Sequence, residues 1–160
     1  MIRFEREIET AGEALSLVSK ELNELLRAAL REDELLRILL GVQEMLRNAY
    51  EHGNLGIGAE DKERLLEGGD FERELSKRAL QARQQGRTIK IALTCSDDEF
   101  TCVVRDDGAG IGDPGAAAGP SCPVSLRGRG LGIIRSSFDE VSWNDVGNEI
   151  SVRKRIAPKA

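Results

Sequence analysis

The sequence predicts an α+β fold: a two-layer α/β sandwich with helices packed on one mainly antiparallel (mixed) sheet. Three observations lead there. Two long stretches in the first third carry apolar residues at helical spacing. Two pairs of alternating segments, over residues 88–106 and 139–156, read as strands joined by turns. Between those pairs a glycine-rich loop leads into one more helical pattern, so helices and strand pairs are interleaved along a single chain.

Taken in order, "IRFEREI" from Ile2 is a short first strand. From Thr10 to Arg31, apolar residues at Ala14, Leu15, Val18, Leu22, Leu25, Leu26 and Ala29 trace one face of an amphipathic helix. Asp33 is placed to cap a second helix, which runs through "ELLRILLGVQEMLRNAYEHG" and stops near Gly53. Residues 59–87 are charged and helix-prone, with Gly68 and Gly69 splitting them and Asp70 positioned to start the second piece. This stretch is too short and too polar to hold its own core, so it reads as two surface helices inserted within a single domain, 1–160. "TIKIALTC" and "EFTCVVRD" alternate as strands around the turn Asp97-Asp98. A glycine- and alanine-rich loop follows, with Pro114, Pro120 and Pro123 opposing regular structure. "RGLGIIRSSF" is a helix entered through glycines, and "DEVSWNDVGNEISVRKRI" gives two last strands around "NDVGN".

Composition narrows the function. The chain has 160 residues, enough for one core without disulfide or metal staples. Net charge is −5 and aromatics are 4%, so neither a basic field nor stacking residues favour nucleic acid. No apolar run approaches the roughly 18 residues that cross a bilayer, and "MIRFEREIETAG" is charged too early for a secretory signal. The expectation is a protein with no nucleic-acid partner and no membrane span, working in the cytoplasm. Three cysteines, Cys95, Cys102 and Cys122, show neither CxxC nor metal-ligand spacing, which suits reduced thiols. Cys95 and Cys102 lie in strand patterns, where a small buried hydrophobe is the simplest role.

Three clusters carry chemistry. In "EMLRNAYEHGN", Glu44, Asn48 and the only histidine, His52, lie in step along the second helix, each about 40° around from the last. They sit away from the apolar face of Leu35, Ile38, Leu39, Val42, Met45, Leu46 and Ala49, so the row is expected outside the core. Most such rows are solvated faces, and this one alone decides nothing. In "VVRDDGAGIG", Asp106 ends a strand ahead of Gly108 and Gly110. A hairpin would need a strand to return at once, and "DPGAAAGPSCP" does not supply one. A carboxylate there can accept a hydrogen bond from an exocyclic amine, beside glycines that let backbone approach a flat ring. In "SLRGRGLGII", Gly128, Gly130 and Gly132 precede a helical pattern, either as a flexible helix start or as amides suited to an anion such as a polyphosphate. Arg127 and Arg129 add charge. A P-loop is excluded because no GK[ST] occurs, and GxGxxG fails at both glycine runs.

In this order the three segments "ExxxNAxxHG", "DxGxGI" and "GRGLGI" resemble the nucleotide boxes of the Bergerat-type ATP-binding fold, shared by type II topoisomerases, mismatch-repair ATPases and histidine kinases. The compact layout is most similar to the anti-sigma-factor serine/threonine kinases of bacteria. The resemblance implies ATP and Mg²⁺ as ligands. It implies that Asn48 holds the magnesium ion, that Glu44 is the base or positioning group for an incoming serine hydroxyl, and that Asp106 binds the adenine amine. Gly108, Gly110 and Ile111 would shape the adenine pocket. Residues 112–127 would be the ATP lid, and Gly128, Gly130, Leu131 and Gly132 would hold phosphates, with Arg127 or Arg129 near the γ-phosphate. His52 would line the phosphate end rather than become phosphorylated.

The implied partners are an anti-anti-sigma protein as phospho-acceptor and a sigma factor that is sequestered, with a homodimer as the implied assembly. A second function, from another class, is a nucleotide-binding regulatory module that switches partners without kinase activity; the charged insert and the unusual lid motivate it. A histidine kinase core fits less well, because no separate helix carries a phospho-acceptor histidine.

Overall fold

The structure, a computed structural model, describes residues 1–110 and 128–157. Its strands are β1 (Ile2–Glu9), β2 (Thr88–Cys95), β3 (Glu99–Asp106), β4 (Glu140–Trp143) and β5 (Glu149–Arg155). They form one five-stranded sheet in the order β1-β2-β3-β5-β4. Every pairing is antiparallel. The α+β sandwich is as expected, without the parallel pair that a mixed sheet would show among the described residues.

The helices are α1 (Gly12–Leu26), α2 (Glu32–Asn48), α3 (Ala59–Glu67), α4 (Phe71–Gln84) and α5 (Gly128–Ser137), and a π-helical turn (Ala49–Asn54) extends α2. Period-two alternation points Ile89, Ile91 and Leu93 of β2, and Phe100, Cys102 and Val104 of β3, into one core. Val18, Leu22 and Leu26 of α1 and Ile38, Val42, Met45 and Leu46 of α2 close that core from the helix side. The opposite face of the sheet carries exposed Lys90, Ala92, Thr94 and Arg105. Edge strand β1 is lined with exposed Arg3, Glu5, Arg6 and Glu7, charges that oppose further strand pairing.

Four expectations are corrected. The first helix ends at Leu26, short of Arg31, although Ala28-Ala29-Leu30 contains no breaker. Leu30 stays on the buried stripe of Leu22 and Leu26, its N–H donating to the Leu26 carbonyl at 3.0 Å, before the chain reverses into α2. Asp33 is not a cap: Arg31 occupies that position in extended backbone, and Asp33 joins Glu32 and Glu34 in the first turn, where carboxylates favour the positive helix end. The second helix does not run unbroken to Gly53, since its last residues widen into the π-turn. Residues 59–87 do form two helices, split at Gly68-Gly69, yet only α3 is wholly superficial. Helix α4 buries Ala79 and Ala82 against the core.

Helices α2 and α5 lie side by side, antiparallel. At one end, a Cβ on Gly41 would come within 2.8 Å of Phe138 Cζ and of Ser137 Cβ, so the absence of a side chain lets α5 settle against α2. Phe138 then stacks on Phe100 of β3 with centroids 6.1 Å apart. Cys95 and Cys102 are buried free thiols, as expected. Burial pushes the Cys102 thiol up to about 12. No helix among the described residues is long and apolar enough to cross a membrane.

Candidate functional site

The site begins with strand parity. Phe100, Cys102, Val104 and Asp106 all point to the helix side of the sheet, so the last inward position of β3 holds a carboxylate. Asp106 is only 8% exposed. Burial raises its pKa to about 6; the Gly108 N–H, Arg87 and Arg105 pull the other way, and Asp107 reinforces the rise. Its Oδ1 accepts the Gly108 N–H at 2.8 Å. Its Oδ2 has no partner among the described residues.

The π-turn brings Gly53, rather than Glu44, Asn48 or His52, onto this acid. Leu55 N–H donates to the Tyr50 carbonyl at 2.9 Å, five residues back, which widens the last turn of α2. Gly53 is thereby laid over Asp106, so closely that a Cβ there would fall within 2.6 Å of Oδ1. Gly108 packs against the Gly53 backbone in turn, with its Cβ position 2.7 Å from the Gly53 carbonyl carbon. Gly110 has φ +82°, and a side chain on it would run into the Val146 carbonyl of the β4–β5 turn. The glycines around the acid are therefore required by close backbone approach.

Just ahead of the π-turn, in the last turns of the same helix, Glu44 and Asn48 meet α5. A Cβ on Gly130 would lie 3.1 Å from Glu44 Oε2 and 3.5 Å from Asn48 Oδ1. This corrects the expectation that the polar row lies outside the packed interior. Glu44 is 6% exposed, because α5 covers that face of α2. The Arg47 guanidinium, one turn on and half exposed, donates to both carboxylate oxygens of Glu44. Asn48 is half-buried, and its amide makes no hydrogen bond among the described residues.

The structure thus brings Glu44 and Asn48 to Gly130, and Gly53 to Asp106 and Gly108, with α2 and its π-turn as the common spine. Gly128, Gly130 and Gly132 lie within the opening turns of α5 rather than ahead of it. Leu131 is half-buried against the core. His52 turns Nδ1 to the Ile57 carbonyl, which assigns the proton to Nδ1 and leaves Nε2 unpaired among the described residues. Ile111, Arg127, Cys122 and the lid at 112–127 lie outside the described residues, as does the side chain of Arg129.

Two arrangements went unnoticed in the sequence. Asn54, next to Gly53, is 2% exposed and joins the ends of three strands. A polar residue directly after "EHG" was the signal. The Arg47–Glu44 pair was readable as an i, i+3 ion pair.

The chemistry of the donors suits an adenine nucleotide. Among the described residues Asp106 Oδ2 is an acceptor without a partner, flanked by the glycine backbone of Gly53 and Gly108, and Asn48 offers an unpaired amide oxygen beside a glycine-rich helix start. No group of three or more His, Cys, Asp or Glu side chains among the described residues is arranged to hold a metal ion alone. Magnesium commonly takes one or two protein ligands and completes its shell with phosphate and water, which a single Asn48 oxygen allows.

Residues 73–154 match the family described as the histidine kinase-like ATPase domain. The match runs from within α4 through Asp106 and α5 to β5; Glu44 and Asn48 lie ahead of it and are joined to it by the contacts at Gly130 and Gly53. No curated protein matches the chain. With half of its length matched and a five-stranded antiparallel sheet under helices, this chain belongs to the histidine kinase-like ATPase family, as an ATP-binding domain of that fold.

Proposed function

We propose that this chain is an anti-sigma-factor serine/threonine protein kinase that binds Mg-ATP, phosphorylates an anti-anti-sigma protein and sequesters a sigma factor, working in the cytoplasm and as a homodimer. The observation that carries the reading is the placement of Glu44 and Asn48, one helical turn apart, against the glycine start of α5, with the Asn48 amide unpartnered among the described residues.

When bound, Mg-ATP supplies the transferable phosphoryl group and a cation that offsets its charge. The residues of the chain do the rest by position, which is most of what phosphoryl transfer asks of a protein. Asp106 accepts the adenine amino group at Oδ2 while Gly108 holds Oδ1. Asn48 would hold the metal through its amide oxygen. Gly128, Gly130 and Gly132 open α5, where free backbone N–H groups and the positive helix end favour phosphate. Glu44 receives the proton of the incoming hydroxyl once Arg47 releases it.

Incubation with Mg-ATP and an anti-anti-sigma protein encoded beside it should yield phosphoserine or phosphothreonine, lost in Glu44→Gln. Absence of transfer to every neighbouring candidate overturns the kinase reading.

One observation favours a second function, a nucleotide-binding module that switches partners without transferring phosphate. Arg47 occupies both oxygens of Glu44, and a base held that way accepts no proton. Calorimetric ATP binding with neither transfer nor hydrolysis, in the native chain and in Arg47→Ala alike, would select it.

A further inference from the structure

The peptide group that follows Asp106 is held at both of its polar atoms. Its N–H, on Asp107, donates to Asn54 Oδ1 at 2.8 Å. Its carbonyl, on Asp106, accepts from Asn148 Nδ2 at 3.2 Å. The Asp106 N–H also donates to the Asn148 carbonyl at 2.9 Å, so the acid is fixed from in front and from behind.

Asn54 is a rigid half of this clamp. It is 2% exposed. Its amide nitrogen spends both hydrogens, on Thr10 Oγ1 and on the Thr88 carbonyl, each at 2.9 Å. Its own carbonyl accepts the Arg87 guanidinium at 2.8 Å. Thr10 is fully buried and donates onward to the Arg87 carbonyl at 2.6 Å. Three strand ends therefore meet on one side chain: Thr10 after β1, Thr88 opening β2 and Asp107 after β3. Aspartate could not replace it, having no donors for Thr10 and Thr88. Asn148 is the other half, its own Oδ1 accepting from Asn144 Nδ2 at 2.7 Å across the β4–β5 turn.

We propose that Asn54 and Asn148 form a peptide clamp that determines base specificity, by fixing the Asp106–Asp107 peptide and with it the direction of Asp106 Oδ2. The proposal rests on the reading that Asp106 accepts the adenine amino group. Rotation about that peptide would swing Oδ2 off the line of an incoming amine. A held carboxylate accepts from the amino group of adenine and opposes the carbonyl that hypoxanthine presents at the same position, lone pair against lone pair. Fixed polar groups discriminate strongly in this way because a mismatched partner leaves them unsatisfied. Neither asparagine touches the base. Both act through Asp106, as positioning residues.

The test is the ratio of affinities for ADP and inosine diphosphate, measured by calorimetry on the whole chain. The two ligands differ along one edge of the base, at the 6-amino or 6-oxo group and the adjoining N1, and share their phosphates, so a merely structural loss weakens both and leaves the ratio unmoved. The native chain should favour ADP by about tenfold or more, the scale of one hydrogen bond to a charged group. Asn54→Ala should compress the ratio to about threefold or less, and the less buried Asn148→Ala should compress it in part. A folded Asn54→Ala that keeps the native ratio overturns the clamp. If that variant does not fold, an unchanged ratio in Asn148→Ala overturns it instead. A native chain that binds both nucleotides equally sinks the assignment of Asp106 itself, a separate failure.

Discussion

Gly53 lies directly on the carboxylate of Asp106, leaving no room between them for even a methyl group. One residue belongs to the widened end of α2 and the other to the last inward position of the central strand, so this contact joins the helical layer to the sheet. Gly53→Ala should displace the carboxylate or the π-turn. Overpacking of this kind costs about 1–3 kcal/mol. Chemical denaturation should show that loss, together with weaker ADP binding. An alanine variant of native stability and affinity would mean that the contact is not tight.

Burial of Asp106 gives stability an uncommon pH dependence. The folded pKa is about 6 against an ordinary 3.8, so the native state keeps its proton longer than the unfolded one. This group's contribution therefore falls as pH rises from 3.8 to about 6 and stays low above that. Asp106→Asn removes the penalty and should stabilise the protein at pH 8 by about 1–3 kcal/mol, while weakening ADP binding. Urea midpoints at pH 8 and pH 4 check it, with the gain confined to the higher pH.

The same ionisation should appear in binding. An ionised Asp106 is the better acceptor for an amine, so ADP affinity should rise with pH through the region of about 6. Between pH 5 and pH 7 the ionised fraction changes by about tenfold, and affinity should follow. Asp106→Asn should lack that component and keep only what the phosphate groups of ADP contribute. Identical pH profiles in the two proteins would count against a role for this acid.

The seat of α5 rests on Gly41. An alanine there meets the Phe138 ring and Ser137. Gly41→Ala should lower stability by about 1–3 kcal/mol and loosen the stack of Phe138 on Phe100. Thermal melts read the first effect, and near-ultraviolet circular dichroism the second.

Neither Cys95 nor Cys102 should be a reactive thiol. Burial raises both pKa values, and the thiolate is the nucleophile. Alkylation followed by peptide mass mapping should leave both unmodified in the native protein and modify both in urea. Labelling of Cys102 under native conditions would show that the sheet opens there.

Much of the fold was legible because it is written in local periodicity. The inward row Ile89, Ile91, Leu93 and the stripe Val18, Leu22, Leu26 follow from periods of two and of about 3.6. What escaped sequence reading depended on contacts between distant segments. Nothing in Ala28-Ala29-Leu30 announces the end of α1. The burial of Glu44 could not be read from α2 alone, whose polar face looked solvated until α5 covered it. The π-turn was hidden for a similar reason: it is the sheet end, with Asp106 and Asn54, that gives the extra residue somewhere to go. For the site itself, the residue types and their order were visible, whereas the clamp on the Asp106–Asp107 peptide needs Asn54 and Asn148, ninety-four positions apart.

In the proposed function, α2, its π-turn and the glycine start of α5 bound one cleft for an adenine nucleotide and its metal. The most direct measurement is a calorimetric titration with ADP, with and without magnesium, on the native chain and on Asn48→Ala. Magnesium should tighten binding to the native chain and leave the variant unaffected, with both proteins still folded. No heat at millimolar ADP, or an equal magnesium effect in the two, would contradict it.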